Sequence, residues 1–420
     1  MSITSVFRRL LGLQDLGVRV VGVNLDQDAL AVFVDVMPRR RRLQCPRCHR
    51  RWSVGTYDSR VRLWRHLDLG AWEVYLRYRV RRFGCPHCDT VVTEQVPWAD
   101  PGSAFVRDFE DLVSFHAQHS NRTITSRVMR VAWQTVGKIV LRTVDRYGLP
   151  LARRRLYRIG VDEISYRKHH KYLTVVADHD RGQVVWAGEG KSGATFARFL
   201  DELGAEGCAS IQLVSMDMSE AYISAVKRHL PNAVIVFDRF HVTKLANHAV
   251  DLVRRAQVRA WAGHPEARAV KGTRWLLLKS RPDLDLDEVL VLADLRRINR
   301  PLFRAYLLKE SLRQLYEQPP ADAKAYLKAW CQWASRSRLP AFVHLARTMR
   351  RHQDGILAAV EHGLSNGRLE GLNSKIRLLS HRAFGFHSAD ALIALVCLCC
   401  SGISIPLPHE RLAEVRPYAI

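Results

Sequence analysis

Two short cysteine motifs constrain the fold of this chain more than any other feature. Cys45-Pro-Arg-Cys48 and Cys85-Pro-His-Cys88 are separated by 36 residues, and each has the spacing of a zinc knuckle. Two knuckles bring four thiolates together in the tetrahedral arrangement that a structural Zn²⁺ requires. The residues between the motifs are rich in strand formers. The sequence therefore predicts a zinc ribbon held by Cys45, Cys48, Cys85 and Cys88.

Other uses of these cysteines stay open. A redox pair has the same CxxC spacing, although such a pair normally occurs once, at the start of a helix. Buried free thiols are a second alternative, and His49 or His87 could replace a cysteine ligand. Nine cysteines in 420 residues, behind a first segment that lacks the apolar core of an export signal, favour a reducing intracellular setting.

The charge of the chain predicts a polyanionic partner. Lys and Arg exceed Asp and Glu by 24, and arginine supplies 53 of the 65 basic residues. A surplus of this size attracts polyanions, and the guanidinium fork matches phosphate geometry. An apolar content of 47% excludes a disordered chain, and the longest apolar run, Ala391 to Cys400, is too short to span a membrane. We expect a globular protein that binds nucleic acid.

Changes of pattern along the chain predict a multidomain α/β protein. Residues 1–100 are strand-rich, residues 101–150 form three short helices typical of a helix-turn-helix unit, and residues 151–420 combine a mixed sheet with a long helical segment. The strands expected in the third region are Leu156–Ile164, Tyr172–Asp178, Gln183–Gly188, Ile211–Met216 and Ala233–Phe237.

The last of the three short helices, Trp133–Tyr147, is the candidate recognition helix. In a helix-turn-helix unit the last helix enters the major groove, where Gln reads adenine and Lys contacts guanine or phosphate. A cluster of arginines follows this helix at once. A helical linker whose polar face is only solvated is the alternative. The candidate DNA contacts are Gln134, Lys138, Arg142, Arg153, Arg154 and Arg155.

Three carboxylates form a candidate metal site in residues 151–420. Asp162 lies inside a predicted strand, where Asp is disfavoured. Asp217 ends the fourth strand of a β-β-β-α-β order, and the first and fourth strands of that order lie side by side. Two carboxylates that converge at a sheet can share divalent metal ions, as in two-metal phosphoryl transfer. Glu370, on a later predicted helix, is the best candidate for a third.

Each of these carboxylates also has a structural interpretation. Asp217 could be a turn or capping residue, and Asp162 could be a surface residue at a strand end, with Glu163 as the real ligand. Asp238 also ends a strand and could replace Asp217, with His241 as its partner. The hypothesis depends on the order of the carboxylates and on their placement at the sheet.

Taken together, the motifs resemble those of a known family. CPRC, RRFGCPHC, GVDEIS, VSMDMSEAY, FDRFHV and SNGRLEGLNSKIRLLSHRAFGF occur in this order. They are similar to the motifs of bacterial insertion-sequence transposases of the ISL3 family, and the resemblance covers nearly the whole chain. It implies a zinc ribbon, a helix-turn-helix and a DDE catalytic domain of ribonuclease-H-like fold, with a helical insertion at about residues 243–355.

The resemblance also implies roles for individual residues. The catalytic triad falls on Asp162, Asp217 and Glu370, which would hold two Mg²⁺ or Mn²⁺ ions. Asp238 and His241 match a D-x-x-H motif that supports the active site. Positions expected to face DNA near the scissile phosphate are Asn366, Asn373 and Lys375.

These roles imply a DNA transposase. Water would attack first and free a 3′-hydroxyl at the element end, and that hydroxyl would then attack target DNA. The expected partners are double-stranded DNA and further copies of the chain, in a homodimer or larger synaptic assembly, and the expected location is the bacterial cytoplasm at the nucleoid. Two alternatives stay open: a zinc-dependent DNA-binding regulator derived from an inactive transposase, and a nuclease without strand transfer.

Overall fold

The computed structural model describes residues 2–39, 43–52, 55–167, 171–364, 367–383 and 388–413. The chain divides into two units, one formed by Met1–Tyr147 together with the segment from Ile403 onward, and the other by Gly148–Gly402. Within the described ranges, the search for a helix long and apolar enough to cross a membrane finds none.

The first unit contains strands around the cysteine motifs and three helices after them. Its elements are α1 (Ile3–Leu10), β1 (Val18–Asp26), β2 (Ala31–Pro38), β3 (Leu43–Gln44), β4 (Arg51–Trp52), β5 (Asp58–Arg65), β6 (Glu73–Cys85), β7 (Thr90–Thr93), α2 (Arg107–His119), α3 (Arg122–Val128) and α4 (Trp133–Tyr147). The strand order in its larger sheet is β1-β2-β6-β5, and β7 pairs with β6. β3 and β4 form a separate hairpin.

Strand β6 is long enough to belong both to the main sheet and to the cysteine motif at its end. Its residues alternate between a buried and a more exposed face, with Val74, Leu76 and Val80 in the core, as the two-residue period of a strand requires. Its last residues pair with β7, and Cys85 is its final residue. The strand therefore carries one cysteine knuckle on the end of the main sheet.

The second unit begins with three antiparallel strands, and most of its helices come after its last strand. Its elements are β8 (Arg158–Arg167), β9 (Lys171–Asp178), β10 (Gln183–Glu189), α5 (Gly193–Ser210), β11 (Leu213–Met216), α6 (Glu220–His229), β12 (Val234–Phe237), α7 (Arg239–Ala260), α8 (Glu266–Gly272), α9 (Arg274–Leu278), α10 (Leu286–Ile298), α11 (Arg300–Gln314), α12 (Pro320–Arg336), α13 (Pro340–Arg351), α14 (Gln353–His362), α15 (Gly367–Arg382) and α16 (Ala389–Cys400). The short α17 (Pro408–Ala413) belongs to the first unit.

The sheet of the second unit is mixed, with strand order β10-β9-β8-β11-β12. Strands β8, β9 and β10 are antiparallel neighbours, whereas β8, β11 and β12 run parallel. The first and fourth strands of this unit are therefore adjacent, which confirms the prediction from the sequence. Because parallel strands end at the same edge, the residues that follow β11 and β12 lie at one edge of the sheet.

Both faces of this sheet are covered. Ile159 and Val161 of β8 belong to the larger core, which also contains side chains of α5, α6 and the helices that follow β12. Ile164 belongs to a second cluster, with side chains of α15 and α16. Since side chains alternate along a strand, the even-numbered residues of β8 face α15 and α16. Asp162 lies among these.

Candidate functional site

The four motif cysteines form a single cluster in the first unit. Their sulfur atoms lie within 4.8 Å of one another. The Sγ atoms of Cys45 and Cys88 are 4.0 Å apart, and those of Cys48 and Cys85 are 3.7 Å apart. A tetrahedron with Zn–S bonds of about 2.3 Å has sulfur atoms roughly 3.8 Å apart. The cluster therefore fits Zn²⁺, and neither neighbouring histidine belongs to it.

The two knuckles have the same backbone geometry. The amide of His49 donates to the carbonyl of Cys45 at 3.0 Å, and the amide of Asp89 donates to that of Cys85 at 2.9 Å. Both His49 and Asp89 have positive φ, of 57° and 49°. Backbone N–H groups inside the first knuckle lower the pKa of Cys45 to about 6, which favours the thiolate that binds metal.

The predicted recognition helix is present, and two of its three candidate DNA contacts are exposed. Gln134 and Lys138 lie on the exposed face of α4. Arg142, by contrast, donates through Nε to the fully buried carboxylate of Glu110 on α2, at 2.7 Å. Arg142 is therefore held in an internal ion pair, which disfavours its predicted role as a DNA contact.

Glu110 is one member of a buried ionic cluster that joins α2 to α4. Arg146 pairs with Glu110, with Asp111 at 2.6 Å and with Asp100 at 2.5 Å. Ser103 donates a further hydrogen bond to Glu110 at 2.7 Å. Buried charges are tolerated when they are paired in this way, so the cluster fixes the two helices to each other.

The arginines of the connector lie at the start of the second unit. Arg153 and Arg155 are exposed. Arg154 is half-buried and donates to the carbonyl of Leu149 at 3.3 Å, and burial lowers the pKa of its guanidinium. Arg153 and Arg155 are the members of this group whose charges are presented to solvent.

In the second unit, Asp162 lies on β8 and Asp217 directly follows the adjacent parallel strand β11. Gly160 of β8 is the partner of Ser215 of β11. Asp162 lies two residues after Gly160 on β8, and Asp217 lies two residues after Ser215, directly after the last residue of β11. Asp217 Oδ1 accepts a hydrogen bond from the amide of Ser219 at 3.0 Å and so supports the turn into α6. Asp162 Oδ1 accepts from the amide of Glu163 at 2.7 Å.

Helix α15 brings the third candidate carboxylate to the same strand. The amide nitrogen of Asn373 donates to Asp162 Oδ2 at 2.5 Å. Glu370 lies three residues earlier on α15, on the same side of the helix, and is exposed. Arg368 donates to the carbonyl of His179 at 2.7 Å and anchors the start of this helix to the β9–β10 turn.

Gly160 permits this close approach of α15 to β8. A Cβ atom at Gly160 would lie 2.0 Å from Cδ1 of Leu369 and 2.7 Å from Nε2 of His179. Gly160 is not among the residues predicted from the sequence, although a glycine inside a strand is a recognised sign of close packing.

Glu163 points to the other face of the sheet from Asp162. It lies near Tyr222 of α6, whose hydroxyl is 3.0 Å from that of Thr174. Burial raises the pKa of the Glu163 carboxyl, and the nearby carboxylates of Asp217 and Asp162 raise it further. If Glu163 replaced Asp162 as the metal ligand, the ligand would therefore lie on the face of the sheet away from α15.

Asp238 and His241 lie one strand further from β8. Asp238 caps α7, since its Oδ1 accepts from the amide of Phe240 at 3.0 Å, and His241 Nε2 is 3.9 Å from its Oδ2. Because β11 separates β12 from β8, Asp217 is the closer neighbour of Asp162 in the sheet.

Of the two other residues expected near the scissile phosphate, Lys375 and Asn366, the structure describes only the first. Lys375 is exposed, and its ammonium donates to the carbonyl of Cys399 on α16 at 2.6 Å. Asn366 lies outside the described residues.

The residues around Asp162 have the chemistry of a divalent-cation site. Carboxylate and amide oxygens are the ligands that hard cations such as Mg²⁺ prefer. Asn373 is only 3% exposed, and its Oδ1 has no hydrogen-bond partner, which leaves a buried oxygen on the amide group that contacts Asp162. Within the part of the chain that is described, however, the four cysteines are the only group of three or more His, Cys, Asp or Glu residues whose ligand atoms all lie within 4.8 Å of one another. Asp162, Asp217 and Glu370 are spaced more widely.

Comparison with known proteins identifies a family for each of these two regions of the chain. A transposase model of the ISL3 family matches residues 159–396, and a model described as the zinc-finger of transposase IS204/IS1001/IS1096/IS1165 matches residues 41–88. The chain is 39% identical to the transposase for insertion sequence element IS1557 of Mycobacterium tuberculosis, over 97% of each protein. It is 30% identical to the transposase for element IS1001 of Bordetella parapertussis, over 84% of this chain and 87% of that one. This chain belongs to the ISL3 family of transposases.

Proposed function

We propose that this transposase cleaves DNA at the ends of its insertion sequence and joins the freed 3′-hydroxyls to target DNA, with Asp162, Asp217 and Glu370 as its catalytic carboxylates. The observation that carries the proposal is the meeting of β8, β11 and α15. Asp162 and Asp217 each lie two residues beyond the paired residues Gly160 and Ser215. Glu370 lies about one helical turn from Asn373, which contacts Asp162. The strand order and the placement of this helix favour the ribonuclease-H-like fold.

Both reactions are displacements at phosphorus, so one set of residues serves both. In cleavage, water adds to the phosphorus and the bond to the 3′-oxygen breaks. In strand transfer, that 3′-hydroxyl attacks a target phosphate and the bond to another 3′-oxygen breaks. Mg²⁺ or Mn²⁺ held by Asp162, Asp217 and Glu370 would activate the attacking oxygen and stabilise the leaving one.

The residues around the carboxylates keep them in place. The amide of Glu163 and the side chain of Asn373 each donate to one oxygen of Asp162, which orients that carboxylate towards α15. The turn after β11 orients Asp217. Asp238 caps α7 with its side chain, so we assign it a supporting role.

DNA binding is assigned to exposed basic and polar residues. Gln134 and Lys138 lie on the exposed face of α4, and Arg153 and Arg155 are exposed in the connector. We propose that α4 contacts the element ends through the major groove. Two ends must be held together for transposition, so the active form contains at least two copies of the chain.

The test is excision of a marker flanked by the element's own ends. Wild type is compared with Asp162→Asn, Asp217→Asn, Asp238→Asn and Glu370→Gln, which remove a charge at nearly constant volume. Asp201→Asn, at an exposed carboxylate of α5, is the matched control. We expect excision by wild type and by the control, and a loss of about 10³-fold or more for the variants at 162, 217 and 370.

Other outcomes separate the alternatives. Loss with Asp238→Asn and retained excision with Asp217→Asn would reassign the second carboxylate. A folded wild type that binds the ends and never cuts them would identify a DNA-binding regulator. Cleavage of the ends without joining to target DNA would identify a nuclease.

A further inference from the structure

An unusual arginine lies beside the exposed face of α4. The guanidinium carbon of Arg122, the first residue of α3, is 3.9 Å from the ring centroid of Trp133 at the start of α4. Arg122 is half-buried, and its desolvation lowers the pKa of the guanidinium. No carboxylate within the described ranges forms an ion pair with it.

Three arginines of the same unit, by contrast, have carboxylate partners. Arg142 and Arg146 pair with Glu110, and Arg130 pairs with Asp68. Partial burial of a cation without an anion costs free energy, and an anion supplied by a bound partner would offset that cost. Stacking on Trp133 recovers only part of that free energy.

Helix α4 is built to make room for this cation. A Cβ atom at Gly137 would lie 1.4 Å from an Nη atom of Arg122 and 2.6 Å from its Cζ. Glycine within a helix is unfavourable by about 1 kcal/mol relative to alanine. Gly137 therefore lowers the stability of α4 in order to leave the space that the guanidinium occupies.

The position of Arg122 relates it to the candidate recognition face. One side of α4 carries two pairs of residues that are four positions apart, Trp133 with Gly137 and Gln134 with Lys138. Gln134 and Lys138 are exposed, and Trp133 is 42% exposed. The guanidinium of Arg122 rests on this side of the helix.

We infer that Arg122, seated on Trp133 and Gly137, is a preorganised binding site for a DNA backbone phosphate next to the recognition face of α4. The guanidinium fork matches phosphate oxygens, and ordering it before DNA arrives reduces the entropy lost on binding. A phosphate contact fixes the position of the helix on DNA and carries no sequence information itself. The inference rests on the proposed DNA binding by α4.

The experiment measures DNA binding by the full-length chain. Fluorescence anisotropy gives the dissociation constant for a mixed-sequence duplex of about 30 base pairs, at NaCl concentrations from about 0.05 to 0.3 M. The variants are Arg122→Gln, Arg122→Lys and Gly137→Ala, and Arg130→Gln serves as a control because its partner is the carboxylate of Asp68. The thermal midpoint of each variant is measured in parallel.

Arg122→Gln should lower the salt dependence, the slope of log K against log[NaCl], by about 0.9, and weaken binding at 0.15 M NaCl on the order of fivefold. Arg122→Lys keeps the charge and should retain most of the slope. Gly137→Ala displaces the guanidinium, so it should weaken DNA binding while the thermal midpoint stays the same or rises. Arg130→Gln should keep the wild-type slope.

The inference is overturned if Arg122→Gln and Gly137→Ala both bind DNA with the wild-type affinity and salt dependence. Arg122 would then have only a packing role. If Arg122→Gln does not fold, Gly137→Ala decides alone, since wild-type binding by that variant also overturns the inference. Absence of DNA binding by folded wild type would instead overturn the proposed function of α4, and this inference with it.

Discussion

The side-chain amide of Asn373 donates a hydrogen bond of 2.5 Å to Oδ2 of Asp162, although the two residues are 211 positions apart in the chain. This bond connects the central strand of the second sheet to the helix that carries Glu370. Asp162 is therefore oriented by a neutral donor, and the other atom of that amide, Oδ1, is buried without a hydrogen-bond partner.

The first prediction concerns this hydrogen bond. Asn373→Leu removes the donor from a partly buried carboxylate, so the variant should lose about 1–3 kcal/mol of stability. It should also bind Mn²⁺ more weakly in a direct titration followed by electron paramagnetic resonance. Asn373→Gln keeps the amide and should recover part of the binding. Wild-type Mn²⁺ affinity in a folded Asn373→Leu variant would show that the residue has only a structural role.

The second prediction concerns Gly160. Gly160→Ala forces a methyl group against Leu369, so α15 must move away from β8. We expect a loss of about 1–3 kcal/mol in the free energy of unfolding and a lower cleavage rate. The double variant Gly160→Ala, Leu369→Ala should recover part of both losses, and the coupling energy from the double-mutant cycle measures the contact. Additive effects would contradict this explanation.

The third prediction concerns zinc. Cys85→Ser removes one of four ligands, and the zinc content measured after acid release should fall from about one ion per chain to near zero. Cys208→Ser is the control, because Cys208 lies outside the cluster and donates to the carbonyl of Leu200. Chelation of the metal from wild type should unfold the ribbon and lower the thermal midpoint. Full zinc content in Cys85→Ser would exclude the four-cysteine site.

The fourth prediction separates two residues of α4. Arg142→Gln leaves the buried carboxylate of Glu110 with one partner fewer and should lower stability by about 1–3 kcal/mol. Its salt dependence of DNA binding should match that of wild type. Lys138→Ala, at an exposed position, should weaken DNA binding and leave the thermal midpoint nearly unchanged. The opposite pattern would return Arg142 to the DNA-binding surface.

The fifth prediction is a pH dependence of stability. Burial lowers the pKa of His179 to about 4, and its Nε2 is 2.6 Å from the hydroxyl of Ser215. As pH falls below about 6.5, the imidazole of His179 binds a proton in the unfolded chain, whereas in the folded chain it binds that proton only near pH 4. Stability present above pH 6.5 is therefore lost as pH falls, by about 3 kcal/mol in total.

Urea unfolding at pH 7 and pH 5 tests this dependence. The difference in stability between the two pH values should be smaller in His179→Gln than in wild type, by about 2 kcal/mol. Other titrating groups are the same in both proteins and cancel in this comparison. An equal pH difference in the two proteins would show that His179 titrates normally.

Local pattern predicted most of the secondary structure. Helix α4 begins and ends at the predicted residues, and the five strands of the second sheet are present with ends shifted by a few residues. The N-terminal helix α1 was missed, because residues 1–100 were predicted to be strand-rich. Helix α1 has no acidic residue in its first turn, which removes one of the usual signals for a helix start.

The sequence alone determined the features that depend on spacing and periodicity. Two CPxC motifs identify the four cysteines of the zinc cluster, and the order of strands and helices places β8 beside β11. These features could be predicted because cysteine spacing restricts the ligand set and because crossover connections between parallel strands have few allowed arrangements.

The tertiary structure decided how each polar side chain is used. Arg142 and Lys138 look alike on a helical face, yet one pairs with buried Glu110 and the other is exposed. Asn373 contacts Asp162, and Arg122 lies against Gly137. Each of these relationships joins residues of different helices or strands. Whether a charge is paired inside the protein or presented to solvent depends on which elements pack together, and local sequence pattern does not contain that information.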